Sequence, residues 1–377
     1  MAPVVAAEAF EIEAAFVIPY KLSHGTEIRT RAVVLKLTDA DGVEGWGEAN
    51  PNPLFSRQSA ADAGRSLKNT YLPAVLASAD PEPGRIDVEL DALLAQQLYA
   101  KGAISMALLD LLGRRLRAPV SMLLGGAIRS SLPVMWPLGN GVATDDIRII
   151  DEKASQGFLS FGLKMGAAPV RDEIQRVAAL EARYGNRIKF MADANEGWTR
   201  DESREFLVGV SGSQLVFAEQ PVVKEDFEGM ALLAGDSKIP VSADESVTGL
   251  AEAAQLAKLG AAKVFSIKSS KNGGPLRAHR IASVAEAFGI SCFMNSMLEF
   301  GITQSASLQH AATVRNLVDI GHAFMSPLRL SEDPTDFSSF VRNGIAHIPN
   351  RPGLGVQVDE GHVRRMAVDS FRLEAPR

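Results

Sequence analysis

From Leu132 onward, short apolar runs alternate with stretches long enough to form a helix, and the alternation reaches eight. The runs are LPVMWPLG from 132, LSFGLKMG from 159, RIKFMADAN from 187 and QLVFAEQP from 214. They continue with IPVSADES from 239, AKVFSIKSS from 262, ISCFMNSM from 290 and NLVDIG from 316. They recur about every 26 residues, which is the length of one strand, one crossover helix and two loops. Eight such units predict a closed (β/α)8-type barrel. The alternative is an open doubly wound sheet. It is disfavoured by the count, and because no glycine-rich dinucleotide loop follows the first strand.

The chain before Leu132 has a different pattern. Residues 1–50 alternate apolar and polar residues, as in AFEIEAAFVIPY and TRAVVLKLTDADGVEGWGEA, with Asp41-Gly42 as a hairpin signal. Residues 58–125 read as helices, with small residues in AKGAISMALLDLLGRRL that allow close packing. Strands followed by helices predict an α+β unit. The expected division is therefore an α+β capping domain over 1–128, the barrel over 129–326, and a turn-rich segment over 327–377 that folds back onto the cap.

Composition narrows the partners. A net charge of −6 with no basic block argues against nucleic acid. No run of about 18 uncharged apolar residues predicts a membrane span. The first 20 residues lack a basic segment and carry Glu8, Glu11 and Glu13, so they read as a strand and not as a targeting signal. A single cysteine, Cys292, leaves no disulfide within the chain and fits a reducing, cytoplasmic setting.

The barrel runs share one feature at their ends: Lys164, Asp193, Glu219, Asp244 and Lys268 close five consecutive runs. In a barrel these ends meet on one face, where active sites form. A single acid there is commonly a helix cap. Five ionisable groups in the order Lys-Asp-Glu-Asp-Lys point instead to a shared site. Three carboxylates sharing one space repel by roughly 4 kcal/mol per pair at about 4 Å and an effective dielectric near 20. A hard divalent cation, Mg²⁺ or Mn²⁺, would hold them, with Asn195 as a supporting contact. The lysines flank the acids, and a cation with low-dielectric walls is expected to press their pKa toward about 7–8.

These residues resemble a known family. LKMG with Lys164, MADANEGW, FAEQP, ADES and SIKSSKNGG are similar to the enolase superfamily, in its muconate lactonizing enzyme (muconate cycloisomerase) subgroup. GVEGWGEA and SMLEFGI extend the likeness over nearly the whole chain. The resemblance implies Asp193, Glu219 and Asp244 as Mg²⁺ ligands and Lys164 and Lys268 as acid/base catalysts. The implied chemistry is loss or return of a proton α to a carboxylate through an enediolate. Muconate-type cycloisomerisation leads. Racemisation or epimerisation of an N-acyl amino acid, dipeptide or proline betaine is the close alternative, and dehydration is third. A barrel that only binds an acidic ligand is the reading from a different class. The mandelate racemase subgroup needs a histidine where this chain has Asn295 and Ser296. One departure stands out: Gly162 occupies the place of the subgroup's outer lysine. The other expected contacts are Glu245 and Lys271 beside the acids, Glu299 near Lys268 or substrate, and His24, Tyr20 and Phe55 from the cap. The partner expected is a small carboxylate, and the assembly a homo-oligomer, dimer or octamer.

Overall fold

The computed structural model describes residues 1–22 and 25–376. The cap begins with three antiparallel strands, β1 (Val4–Leu22), β2 (Gly25–Asp39) and β3 (Glu44–Ala49). Alternation along β2 sorts its side chains. Val33, Leu35 and Leu37 face the helices of the cap, whereas Ala32 and Val34 join the apolar mass that continues into the barrel. The β2–β3 turn closes on Asp39, whose Oδ1 accepts from the N–H groups of Asp41 and Val43 at 3.0 and 2.9 Å. Gly42 supplies the left-handed residue there, at φ 78°.

The helical block forms as expected, with its longest member at Leu98–Leu116. The two glycines of GVEGWGEA let that helix lie directly on β3. A Cβ on Gly45 would fall 2.2 Å from the Ala107 carbonyl oxygen, and one on Gly47 1.9 Å from that of Ala103. Trp46, between them, is buried and donates its backbone N–H to Asp110 at 2.9 Å.

The barrel run at 132 divides in two. β4 (Ser131–Pro133) turns outward to a small sheet, while β5 (Met135–Leu138) enters the barrel. It is followed by β6 (Ser160–Lys164), β7 (Lys189–Asp193), β8 (Ala218–Glu219), β9 (Val241–Ala243), β10 (Val264–Ile267) and β11 (Ser291–Met294). These seven strands are parallel and adjacent in chain order. The eighth run is no regular strand, yet it closes the ring. Leu317 bridges to Cys292 of β11, and His322 to Val134 next to β5. Backbone bonds of 2.7–2.9 Å tie 316–318 to Cys292, and the His322 and Met135 N–H groups cross-link the other seam at 2.8 Å. The architecture is therefore a closed (β/α)8 barrel under an α+β cap.

After the barrel come β12 (Val341–Arg342), β13 (Ile345–His347) and β14 (Ala367–Glu374). β13 pairs with β4, and β14 returns to pair antiparallel with β1 in the cap sheet. A second tie joins cap to barrel. Glu48 of β3 accepts 2.9 Å hydrogen bonds from the Phe300 and Thr303 N–H groups, which cap the helix Gly301–Ala311. Burial pushes the Glu48 carboxyl up to about 8, against these two donors.

Candidate active site

Each of the five ionisable groups stands at the carboxyl end of its strand. Lys164, Asp193 and Glu219 are the last residues of β6, β7 and β8, and Asp244 and Lys268 follow β9 and β10 directly. In the parallel register Lys164 lies opposite Asp193, and Asp193 opposite Glu219. The chain leaves these strands through strained turns. Asn195, Glu196 and Gln220 all have positive φ, at 45°, 64° and 34°. The turn behind Asp193 is held by the Asn195 N–H, which donates to Asp193 Oδ1 at 2.9 Å.

The three acids are almost fully buried, and two of them sit on amines. Lys164 pairs with Asp193 and donates to Asn195 Oδ1 at 2.7 Å. Lys268 Nζ lies 2.5 Å from Asp244 Oδ2, and Lys271 Nζ 2.7 Å from Oδ1 of the same carboxylate. Among the described residues, Glu219 pairs with no amine. It accepts from the Ser266 hydroxyl and from Asn295 Nδ2 at 3.1 Å. That same Asn295 nitrogen is 3.5 Å from Asp244 Oδ2 and so bridges the two acids. Among the described residues, no three acid, histidine or cysteine side chains stand in ion-holding geometry, and lysines lie against Asp193 and Asp244.

The electrostatics follow from this pairing. Burial raises the Asp244 carboxyl, but Lys268 and Lys271 outweigh it and bring the pKa to about 2. Glu219 is pushed well up, first by burial and then by Asp193 and Asp244. Burial works against charge on Lys164 and Lys268. Asp193 beside one and Asp244 beside the other nevertheless hold both above the ordinary lysine value. A carboxylate beside each amine favours its charged form. Lys271 is lowered, chiefly by burial.

Lys164 and Lys268 lie four strand positions apart in a ring of eight, so they face each other across the barrel. Both line one cavity, with Asp193, Asn195, Glu219, Asn295 and the cap residues Tyr20 and Phe55. The free volume is about 50 Å³, room for a water or two. Glu245 does not bond Lys268; its Oε1 accepts from Asn195 Nδ2 at 3.1 Å, and burial raises its carboxyl to about 8. Glu299 lies behind the cavity wall, held by Ser270 at 2.9 Å, Ser296 at 2.5 Å and Gln304 at 3.0 Å. His24 lies outside the described residues.

Three contributors escaped the sequence reading. Ser266 precedes Lys268 by two residues, which on a strand means the same face, so period-two counting points to it. Arg176 holds the end of β6, donating at 2.6 Å to the Lys164 carbonyl while ion-paired to buried Asp146. Its signal, an arginine on an amphipathic helix, is indistinguishable from a solvated charge. Asn295 entered only as a missing histidine, and the structure makes it the amide linking two acids.

The donor set fits a divalent cation. Glu219 is a buried carboxyl that forms no ion pair among the described residues, and burial with the two acids on either side outweighs the pull of Lys268 and Lys164. A hard cation among these oxygens relieves that repulsion.

Comparison with known proteins agrees with this geometry. Residues 147–362 match the family model described as "Enolase C-terminal domain-like". Residues 6–125 match "Mandelate racemase / muconate lactonizing enzyme, N-terminal domain". The chain is 34% identical over 356 residues to muconate cycloisomerase 1 of Pseudomonas putida, covering 93% of this chain and 94% of that one. Among solved structures, the N-succinyl Arg/Lys racemase of Bacillus cereus superposes with a TM-score of 0.93 at 26% identity, over 99% of this chain and 100% of the other. The muconate lactonizing enzyme of Pseudomonas fluorescens, complexed with muconolactone, gives 0.93 at 30% identity, over 97% and 99%.

Proposed function

The chain belongs to the mandelate racemase / muconate lactonizing enzyme family of the enolase superfamily, and from that premise we propose that it is a Mg²⁺-dependent isomerase that moves a proton α to a carboxylate. The observation that carries this reading is the facing pair, Lys164 and Lys268, with Asp193, Glu219 and Asp244 on the strands between them. In this reading the three acids hold the cation. When bound, it supplies positive charge beside the substrate carboxylate, which lowers the cost of charge developing there. Mn²⁺ would serve the same donors.

The protein's own part is proton handling and exclusion of water. A carboxylate drawn into the cavity lies between two amines, one on each face of its α-carbon. In a cycloisomerisation, a substrate carboxylate adds across a double bond and one lysine delivers a proton to the α-carbon. In a racemisation, one lysine removes the proton and the other returns it to the opposite face. The cap residues Tyr20 and Phe55 close the cavity from above, with Tyr20 nearly fully buried.

Cycloisomerisation of a muconate-like dicarboxylate is the leading activity, supported by the 34% identity to the Pseudomonas putida enzyme. Racemisation of an N-acyl amino acid has support of its own. Gly162 stands where the muconate subgroup's outer lysine is expected, and the Bacillus cereus racemase shares the whole fold.

Incubation in D₂O with Mg²⁺ tests the shared chemistry. The panel is cis,cis-muconate, N-succinyl amino acids and dipeptides, read by proton NMR. Deuterium should enter the α-position of at least one member, and removal of the cation with EDTA should stop it. Binding without exchange anywhere in the panel, at saturating Mg²⁺, would convert the protein into a ligand-binding barrel.

A further inference from the structure

Arg329 ends the 3-10 turn Ser326–Arg329, just past the eighth barrel position. Its segment is tied to the cap. Leu330 bridges to Phe16 of β1, and the Ser331 N–H donates to the Ala15 carbonyl at 2.8 Å. The guanidinium lies over the Tyr20 ring, 4.1 Å from its centroid, and 5.7 Å from that of Phe16. Its Nη1 is buried and has no hydrogen-bond partner among the described residues. Among the described residues the guanidinium forms no ion pair, and its side-chain partner is the Tyr20 phenol. A half-buried cation without an acid is costly at its buried end, and an arriving anion recovers that cost.

Tyr20 is the link to the site. It lines the cavity together with Lys164. The lining also includes the apolar side chains of Met135, Met191 and Met325. Gly162 is in the same wall, and a Cβ there would stand 3.0 Å from Met135 Sδ and 3.1 Å from Met191 Sδ. The position is therefore filled by methionine, and no cation reaches the cavity from it.

We propose that Arg329, acting through Tyr20, recognises a second carboxylate of the substrate, at the end remote from the reacting carbon. Arg329 is a positioning residue: it orients the Tyr20 hydroxyl and supplies the positive charge behind it. The substrate class is then narrowed to dicarboxylates, either open-chain or carrying the second acid on an N-acyl group. This inference rests on the isomerase reading for its choice of ligand, but not for its test.

The test is equilibrium titration of the Mg²⁺-loaded protein with adipate and with adipamate, which has the same length and one charge fewer. The parent should prefer adipate by about tenfold or more, the size of a hydrogen bond to a charged group. Arg329→Leu and Tyr20→Phe should each reduce that preference to about threefold or less, and Arg329→Lys should keep most of it. A merely structural role would weaken both ligands alike. If Arg329→Leu does not fold, Tyr20→Phe and Arg329→Lys carry the comparison. A parent with no preference for adipate, or an Arg329→Leu protein that keeps it in full, overturns the proposal. Deuterium exchange by the parent reports separately on the isomerase reading, so either can fail while the other stands.

Discussion

Lys164 and Asp193 are direct register partners on adjacent parallel strands, and their side chains form an ion pair at the edge of the cavity. Lys268 pairs likewise with Asp244 on the opposite side of the barrel, reaching it from beyond the register partner of that strand, where Ala243 lies opposite Phe265. Each amine therefore serves one face of whatever lies between them. Lys164→Ala and Lys268→Ala should each slow proton transfer by about 10²–10⁴-fold, the usual worth of a positioned acid or base. The losses should be stereospecific. With the two enantiomers of an N-succinyl amino acid in D₂O, one variant should stop exchanging one enantiomer and the other variant its mirror image. If each variant retains exchange of both enantiomers at the parental rate, the lysines are not the acid and base.

Glu219 provides a test of the metal site that does not depend on turnover. Its carboxyl is buried, pairs with no amine among the described residues, and is pushed up by burial and by Asp193 and Asp244. Glu219→Gln keeps the shape and removes the repelling group, so the metal-free protein should be as stable as the parent or more so. The parent should gain about 2–3 kcal/mol when Mg²⁺ is present at roughly 100 times its Kd. The variant should lose most of that gain. Thermal melts with and without Mg²⁺ read both effects, and an unchanged Mg²⁺ shift in Glu219→Gln would remove Glu219 from the donor set.

Much of this architecture is legible in the chain, because a barrel repeats one physical unit eight times. The ends of β6 to β10 could be read directly, since a charged residue closing a buried run has few other reasons to be there. Where the repeat weakens, so does the reading. The eighth run carries Asp319 and Gly321 in place of continuous apolar residues, and its place is fixed only by bridges to Cys292 and Val134. The division of the run at 132 depends on β13, some 200 residues later, capturing Ser131–Pro133. Pairing is harder still. The sequence places Lys164 near three acids, but only the fold shows that Asp193 takes its charge and holds its pKa up. Arg329 in SPLRL reads as a surface charge until the fold brings Tyr20 beneath it. Tyr20 and Phe55 were reachable because both sit in segments next to the barrel mouth, whereas the bonds of Glu299 to Ser270 and Gln304 needed the packed helix.

Two histidines away from the cavity set an acid limit on the fold. Burial lowers His310 to about 3, with His279 adding to the effect, and lowers His322 to about 3, with Arg129 adding. Both remain neutral in the folded chain, while in the unfolded chain they take up a proton as pH falls below 6.5. Their contribution is thus complete above pH 6.5 and is lost progressively from 6.5 down toward 3. At pH 5 each ring should cost about 2 kcal/mol, 1.5 pH units below its unfolded value. Urea midpoints at pH 7.5 and pH 5 measure the loss. The two rings differ in what replaces them. His310 has no hydrogen-bond partner on either nitrogen among the described residues, so His310→Leu should remove about half of the pH dependence at little cost at pH 7.5. His322 Nδ1 accepts the Met294 N–H at 3.1 Å, so His322→Leu should also cost about 1–3 kcal/mol at every pH by leaving that donor buried and unpaired. Equal pH dependence in the parent and in His310→Leu would place the acid-sensitive group elsewhere.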